Sequence, residues 1–340
     1  MGRYDVYVTE TRELKGHIEM ASYKCKDLHH IGVDVDGKSF LYNPLLHTAT
    51  EANLFSTADT SCVLNTQKEC NAWYKLVDAW GLANPSYDLC PGGDIYNHPC
   101  KCSFNKIWCG GNTKTGTDIY IKLSNPSISG SLRSVSGLNP LRSLILKDMS
   151  KISGSLNDLS SLYINNLHLE NMLNISGNIK DLSSLKNLEV LSLINMSEIS
   201  GNLRDLSGLT YLHNLTLEYT SSISGNLSNL SDLSNLYILY LEKMSSISGN
   251  LNSLSDLSNL ATLILKDLSI NASLSDLSFL NPNNIETLDI SLSRLDGSCQ
   301  DISNILTKLT KADCTLGNIQ RNQFLDCSAK FNQSCNFSMD

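Results

Sequence analysis

The stretch "MSEISGNLRDLSGL", Met196–Leu209, decides how the whole chain is read, because it recurs. "MSKISGSLNDLSSL" occupies Met149–Leu162, and "MSSISGNLNSLSDL" occupies Met244–Leu257. The Ile-Ser-Gly triplet stands at Ile128, Ile152, Ile175, Ile199, Ile223 and Ile247. A degenerate copy follows at Ile270-Asn271-Ala272, and Leu295-Asp296-Gly297 is a candidate eighth. Successive steps are 24, 23, 24, 24, 24, 23 and 25 residues. Self-similarity at such a period marks a solenoid, whose units contact only their neighbours.

One unit runs from Leu185 to Leu209, with apolar positions at Leu185, Leu188, Leu191, Leu193, Met196, Ile199, Leu203, Leu206 and Leu209. Alternation at Leu191 and Leu193 predicts a short strand, Val190–Leu193, with both leucines on one face. A turn and a looser return arm follow. One such coil cannot bury its leucines alone; stacked coils share a continuous core. Strand centres then fall at Leu144, Leu167, Leu191, Leu215, Leu239, Leu263 and Leu288. A first strand is expected at Ile119–Leu123 and a last around Ala312–Cys314. At the usual strand spacing this parallel sheet spans roughly 40 Å.

The pattern resembles the plant-type, 24-residue subclass of extracellular leucine-rich repeat proteins, as a divergent member. The Ser-Gly after the turn and the period are that subclass's marks. The N-terminal flank is similar too: Cys70 precedes the amphipathic stretch "NAWYKLVDAWG", and "HPCKCSFNKIWC" follows. The resemblance implies a solenoid with one parallel sheet on a concave face and disulfide-stapled caps. It implies the pairs Cys70–Cys100 and Cys102–Cys109. The resemblance covers about residues 65–320; the boundaries read from the chain are a Cys-rich cap at 65–118, the solenoid at 119–298 and a C-terminal cap at 299–340, preceded at 1–64 by an extension that matches no repeat and whose stretches "YDVYV" and "HIGVDVDGKSFLY" alternate like strands. Departures are plain. The subclass's asparagine after the strand is replaced by Met149, Met172, Met196, Thr220, Met244 and Leu268, and no proline follows the glycine. Methionine fills space but donates no hydrogen bond. Ser150, Ser197, Ser221, Ser245 and Ser269 stand next to these positions and are expected to donate instead.

Composition narrows the function. A net charge of −8 and a pI near 5.4 argue against nucleic acid and anionic membrane surfaces. No run of 18 apolar residues is present to span a bilayer. "MGRYDVYVTE" lacks the apolar segment of a leader, which taken alone suggests cytoplasm. Cysteines and sequons point the other way. Eleven cysteines cluster at the two ends, seven within 25–109 and four within 299–335. Cys70, Cys100, Cys102, Cys109, Cys299, Cys314, Cys327 and Cys335 are read as disulfide-bonded. Cys25, Cys62 and Cys90 cannot all pair internally and are candidates for an intermolecular bond or a free thiol. N-glycosylation signals stand at Asn174, Asn195, Asn214, Asn226, Asn229, Asn271, Asn332 and Asn336. The expectation is a secreted, N-glycosylated protein whose leader is not visible in this chain.

No chemistry emerges. The cysteine spacings fit no zinc pattern. "DVDGKS" (Asp34–Ser39) lacks the distal Glu of a calcium loop, and no serine sits in a Gly-x-Ser-x-Gly setting. No catalytic residue, metal or cofactor is expected. The strands' outward residues form two columns. One is Ile145, His168, Ser192, Thr216, Tyr240, Ile264 and Asp289; the other is Lys147, Glu170, Ile194, Glu218, Glu242 and Lys266. Aromatic anchors mark recognition surfaces. Binding candidates on the concave face are therefore His168, Thr216, Tyr219, Tyr237 and Tyr240, the three tyrosines as one cluster. The expected function is a non-catalytic, self-associating structural subunit of a matrix or filament, which the uniform repeats and odd cysteine favour; the alternative is a recognition module or receptor ectodomain that binds a protein, peptide or glycan on the concave face, which the family resemblance favours. The partner is thus a second copy or another extracellular protein. A glycan at Asn195 or Asn214 shields part of the concave face.

Overall fold

The computed structural model describes residues 67–84, 106–110, 118–303 and 314–319, with the single positions 87, 89 and 95. It also describes short strands at 3–5, 17–19, 40–43, 48–51 and 336–337. The predicted strands form. Asp118–Leu123, Leu141–Lys147, Asn166–Glu170, Val190–Ile194, Asn214–Glu218, Ile238–Glu242, Thr262–Lys266, Thr287–Asp296 and Cys314–Ile319 pair in parallel, in chain order. At the N-terminal edge Ile107–Gly110 pairs antiparallel with Asp118–Leu123. The last of these strands is described at Cys314–Ile319, and Ala312 lies outside the described residues. Beyond the solenoid, Arg3–Asp5 pairs with His17–Glu19 and Phe40–Asn43 with Thr48–Glu51, both antiparallel.

The return arm differs from expectation. Gly130–Ser131, Ile152–Ser155, Ile175–Asn178, Ile199–Asn202, Ile223–Asn226 and Ile247–Ser248 form a second parallel sheet of six strands. Segments of two to four residues, most of them with a glycine, carry little strand propensity of their own, so the pattern did not announce it. What makes the strand is the neighbouring coil. The triplet's serine hydroxyl donates to the previous coil's glycine carbonyl: Ser176 to Gly154, Ser200 to Gly177, Ser224 to Gly201 and Ser248 to Gly225, at 3.2–3.4 Å. Each strand then enters a single 3-10 turn through a polar N-cap. Asn178, Asn202 and Asn226 accept from the backbone two residues on, and Asp181, Asp205 and Asn229 return the bond to the cap's own N–H. These are capping boxes, and they explain the Asn-x-x-Asp spacing of the repeat.

The leucines of strand, turn and return arm line one core; Leu191, Leu193, Leu203, Leu206 and Leu209 are fully buried. The methionine row, Met149, Met172, Met196 and Met244, is buried with them. Among the described residues, the hydroxyls of the serines beside those methionines donate no hydrogen bond to a neighbouring coil; the donors are elsewhere. The residue before each methionine-row position, from Asp148 to Asp267, has φ between 48° and 56°. Its N–H reaches the next coil: Asn195 N donates to Glu218 O at 2.8 Å and Tyr219 N to Glu242 O at 3.1 Å. A left-handed backbone costs an L-residue roughly 1–2 kcal/mol; Asn and Asp tolerate it, while Tyr219 and Lys243 do so at greater strain. Before the strands, Asn235, Asn259 and Asn284 donate to Thr210, Ser234 and Ser258 carbonyls at 2.7, 2.8 and 3.2 Å.

Thr220 breaks the methionine row, and its buried hydroxyl has no partner among the described residues. An unsatisfied buried polar group costs about 1–3 kcal/mol. Thr220→Val, which keeps the shape and removes the hydroxyl, is expected to stabilise the chain by about 1 kcal/mol or more. Urea unfolding checks this, and a loss of stability would show that the hydroxyl is satisfied in solution.

The helix Gln67–Trp80 closes the first coil, where the amphipathic stretch was read. Its buried residues Trp73, Leu76, Val77 and Trp80 follow the 3.6-residue period. The Trp80 indole donates to Ser131 O at 2.9 Å, and Trp73 donates to Ile95 O at 2.7 Å. Cys70 and Cys109 are each disulfide-bonded; the partners implied for them, Cys100 and Cys102, lie outside the described residues. So do Cys25, Cys62, Cys90, Cys327 and Cys335. The backbone at Cys299 opens a 3-10 turn, and Cys314 opens a strand. Among the described residues, no helix is long and apolar enough to cross a membrane.

Candidate functional site

The strand register sets the open face of the long sheet. Ile145, His168, Ser192, Thr216, Tyr240, Ile264 and Asp289 are direct neighbours across seven strands. Lys147, Glu170, Ile194, Glu218, Glu242 and Lys266 form the second column in the same register. Both columns match the sequence reading. The strands alternate outward half-buried residues with inward buried leucines, as in Asn214–Glu218 and Ile238–Glu242. Stacked 24-residue coils, an inward leucine pair on each strand and one continuous core decide the architecture. The chain folds as a leucine-rich repeat solenoid.

The solenoid's open face has an uneven charge pattern. At its ends the charges pair: Asp118 with Arg142 at 3.1 Å, Glu170 with Lys147 at 2.7 Å, and Asp289 with Lys266 at 2.7 Å. At its centre Glu218 and Glu242 lie opposite each other on adjacent strands. Neither forms a salt bridge with a lysine or arginine among the described residues. Like charges directly opposite destabilise a sheet. Tyr240 stands in the next column and donates its hydroxyl to Glu242 Oε2 at 2.6 Å. Burial, and then the bond to Glu242, push the Tyr240 phenol well above its ordinary pKa. Burial raises the Glu218 carboxyl too, and Glu242 adds to it. Tyr120, near the first strand's start, is pushed up to about 12 by burial and then by Asp118.

The candidate residues do not form one patch. His168 sits 3.3 Å from Glu170, but burial lowers its pKa more than Glu170 raises it. At neutral pH the contact is therefore a hydrogen bond from a neutral imidazole. Thr216 donates to Asn214 Oδ1 at 3.0 Å. The tyrosines separate, contrary to the single cluster expected. Tyr237 precedes its strand and donates to Glu286 at 3.2 Å. Tyr219 follows its strand, in register with Lys243, six residues on from Tyr237; that is roughly 20 Å along the strand direction. Only Tyr240 belongs to the face's centre. Spacing in sequence could not show this, because Tyr219 lies beyond the strand's end, in the turn, and Tyr237 before its start. Lys243 lies over the Tyr219 ring at 4.8 Å and 3.9 Å from Asp267. The signal missed was Glu218 and Glu242 themselves, two carboxylates 24 residues apart at one strand position.

The sequons also separate. Asn174 and Asn195 are exposed in turns, and their amides donate to Ser150 O at 2.6 Å and Asn171 Oδ1 at 2.8 Å. Asn226 and Asn229 belong to a capping box, a structural reason for asparagine there. Asn214 is half-buried on the open face. Asn271 and Asn336 lie in short strands, and Asn332 falls outside the described residues.

No protein-family model matches the chain, and no curated protein matches it. Solved structures with a similar fold include internalin C2 from Listeria monocytogenes str. 4b F2365, 21% identical over 74% of this chain and 96% of that one, TM-score 0.45. A plant ice-binding protein is 19% identical over 75% of this chain and 80% of that one, TM-score 0.46. The Arabidopsis receptor kinase HAESA, in complex with the peptide hormone IDA and the co-receptor SERK1, is 16% identical over 75% of this chain, TM-score 0.44. The match spans 54% of the HAESA chain. At these identities the likeness of the leucine-rich repeat solenoid to them is one of fold alone.

Proposed function

We propose that this solenoid is a secreted, non-catalytic recognition module whose long sheet holds a basic segment of another extracellular protein. The observation that carries the reading is the Glu218–Glu242 pair, neither in a salt bridge among the described residues, because Lys266, the cross-strand neighbour of Glu242, is ion-paired to Asp289 instead. A ligand arginine or lysine seated between them relieves the repulsion and donates two charge-assisted bonds to the carboxylates. Tyr240 supplies an aromatic wall. The plant-type subclass, the disulfide-closed ends and the N-glycans belong to the same reading. They rest on the period, the bonded Cys70 and Cys109, and the sequons. Self-association, the other reading, has like charge against it: copies carrying −8 each repel unless a distinct basic surface meets the acidic one.

The test is titration calorimetry with Arg-rich synthetic peptides, against alanine-substituted controls. The double variant Glu218→Gln/Glu242→Gln is expected to bind at least about tenfold more weakly, about 1.4 kcal/mol. Affinity for the native chain should fall as salt rises. The same variant has a stability readout. A carboxylate whose pKa is raised on folding opposes folding when ionised, so the native chain gains stability as pH falls through the raised Glu218 value. Glu218→Gln should lose that gain while being no less stable at pH 7. Equal peptide binding by the double variant would sink the proposal. Concentration-dependent growth in light scattering, abolished by reductant, would favour assembly instead.

A further inference from the structure

Asn214 is a sequon asparagine whose side chain lies on the open sheet face. It occupies the first outward position of the strand that ends in Glu218, roughly 14 Å away along the strand. Thr216, the sequon's hydroxyl residue, stands between them and donates to Asn214 Oδ1 at 3.0 Å. That bond holds the amide oxygen inward along the strand. The amide nitrogen has no acceptor among the described residues, in contrast to Asn174 and Asn195, whose nitrogens already donate. Val190 and Ile238 flank Asn214 on the neighbouring strands, both half-buried. Among the described residues, neither flanking strand places a charged side chain directly opposite it.

We propose that Asn214 carries an N-glycan that covers the acidic centre of the sheet and controls access of a basic ligand. The proposal rests on the secreted, recognition reading above. In the attachment step the Asn214 Nδ2–C1 bond forms as the C1–O bond to the pyrophosphate of a lipid-linked oligosaccharide breaks. The lipid pyrophosphate leaves with the bonding electrons, and the amide nitrogen gives up one proton. The first sugar then rests over Val190 and Ile238, whose apolar surfaces suit its C–H face. The remainder of an oligosaccharide is long enough to lie over Thr216, Tyr240 and Glu218. Attachment leaves the Thr216–Asn214 bond intact, because only the amide nitrogen is used. A carbohydrate over Glu218 and Glu242 hinders the approach of a guanidinium without neutralising the carboxylates. The chain then exists in two populations on secretion, one open and one covered, set by occupancy at a single residue.

The full chain, secreted from a eukaryotic cell line, tests this. Enzymatic release of glycans in heavy-oxygen water followed by peptide mass mapping reads occupancy at each sequon. Titration with an Arg-rich peptide before and after release reads the effect. Asn214 is expected to be occupied; Asn214→Gln, which keeps the position neutral where release leaves an aspartate, should tighten peptide binding about tenfold, as release should also do, while Asn174→Gln leaves it unchanged. Occupancy at other sequons with Asn214 unmodified overturns the proposal and leaves the secreted reading standing. Occupancy at Asn214 with unchanged affinity after release overturns the control of access alone. A chain with no occupied sequon overturns the secreted reading, and this proposal with it.

Discussion

Trp80→Ala is expected to lower the unfolding free energy by about 3–5 kcal/mol, the range for truncating a buried tryptophan. The indole is 1% exposed and donates to Ser131 O at 2.9 Å. It also lies against Gly130: an added Cβ there would come within 2.5 Å of its ring. A solenoid's end coil has no neighbour on one side, so whatever covers it stabilises every coil behind it through nearest-neighbour contacts. The loss should therefore be graded. Hydrogen exchange should quicken most in the strands Asp118–Leu123 and Leu141–Lys147, and least in Ile238–Glu242 and Thr262–Lys266. A uniform change, or a loss below about 1 kcal/mol, would show that the helix does not close the first coil.

The second large effect lies mid-solenoid. Gly201→Ala should cost about 2–6 kcal/mol, the sum of backbone strain of about 1–3 and overpacking of about 1–3. Gly201 has φ of +139°, and an added Cβ would meet Ile179 Cγ1 at 2.5 Å and Ile179 N at 3.1 Å. The backbone of one coil rests on the backbone of the next, and only glycine allows it. Gly208 supplies the internal comparison. Its added Cβ meets only the flexible end of Lys186, at 2.8 Å, so Gly208→Ala should stay within about 0.5 kcal/mol of the native chain. Urea unfolding of the two variants side by side measures the difference; equal losses would mean the triplet glycine matters for its propensity alone.

These effects show how the repeat is built. Six coils carry a serine hydroxyl ladder, a polar cap or a left-handed turn at the same place, and each contact is individually small. Their repetition gives one rank of interactions per coil, so a single break is felt by its two neighbours. Tyr219 and Lys243 depart from the Asn and Asp that suit the left-handed turn. Local rules broken without internal gain are where a functional role is most often found. Both residues adjoin the strands of Glu218 and Glu242 directly, placing Lys243 and its tyrosine at the rim of the acidic centre.

The sequence by itself determined the coil. A 24-residue period with leucines two apart on a strand has one way to bury its apolar face, so strand positions, register and the two outward columns were legible before any coordinates. The amphipathic helix was legible for the same reason, through its 3.6-residue spacing. The tertiary structure alone decided the rest. The second sheet exists because Ser-Gly backbones meet across coils, a contact between residues 23 or 24 apart that local propensity does not encode. Inter-coil bonding passed to the turn backbone and the Ile-Ser-Gly serines, because hydrogen-bond partners depend on where each atom points. The tyrosines parted for a geometric reason: a residue one place outside a strand leaves the sheet's face. Whether a carboxylate is paired likewise depends on distances to lysines on neighbouring coils. Only stacking revealed that Glu170 and Asp289 have theirs while Glu218 and Glu242 face each other.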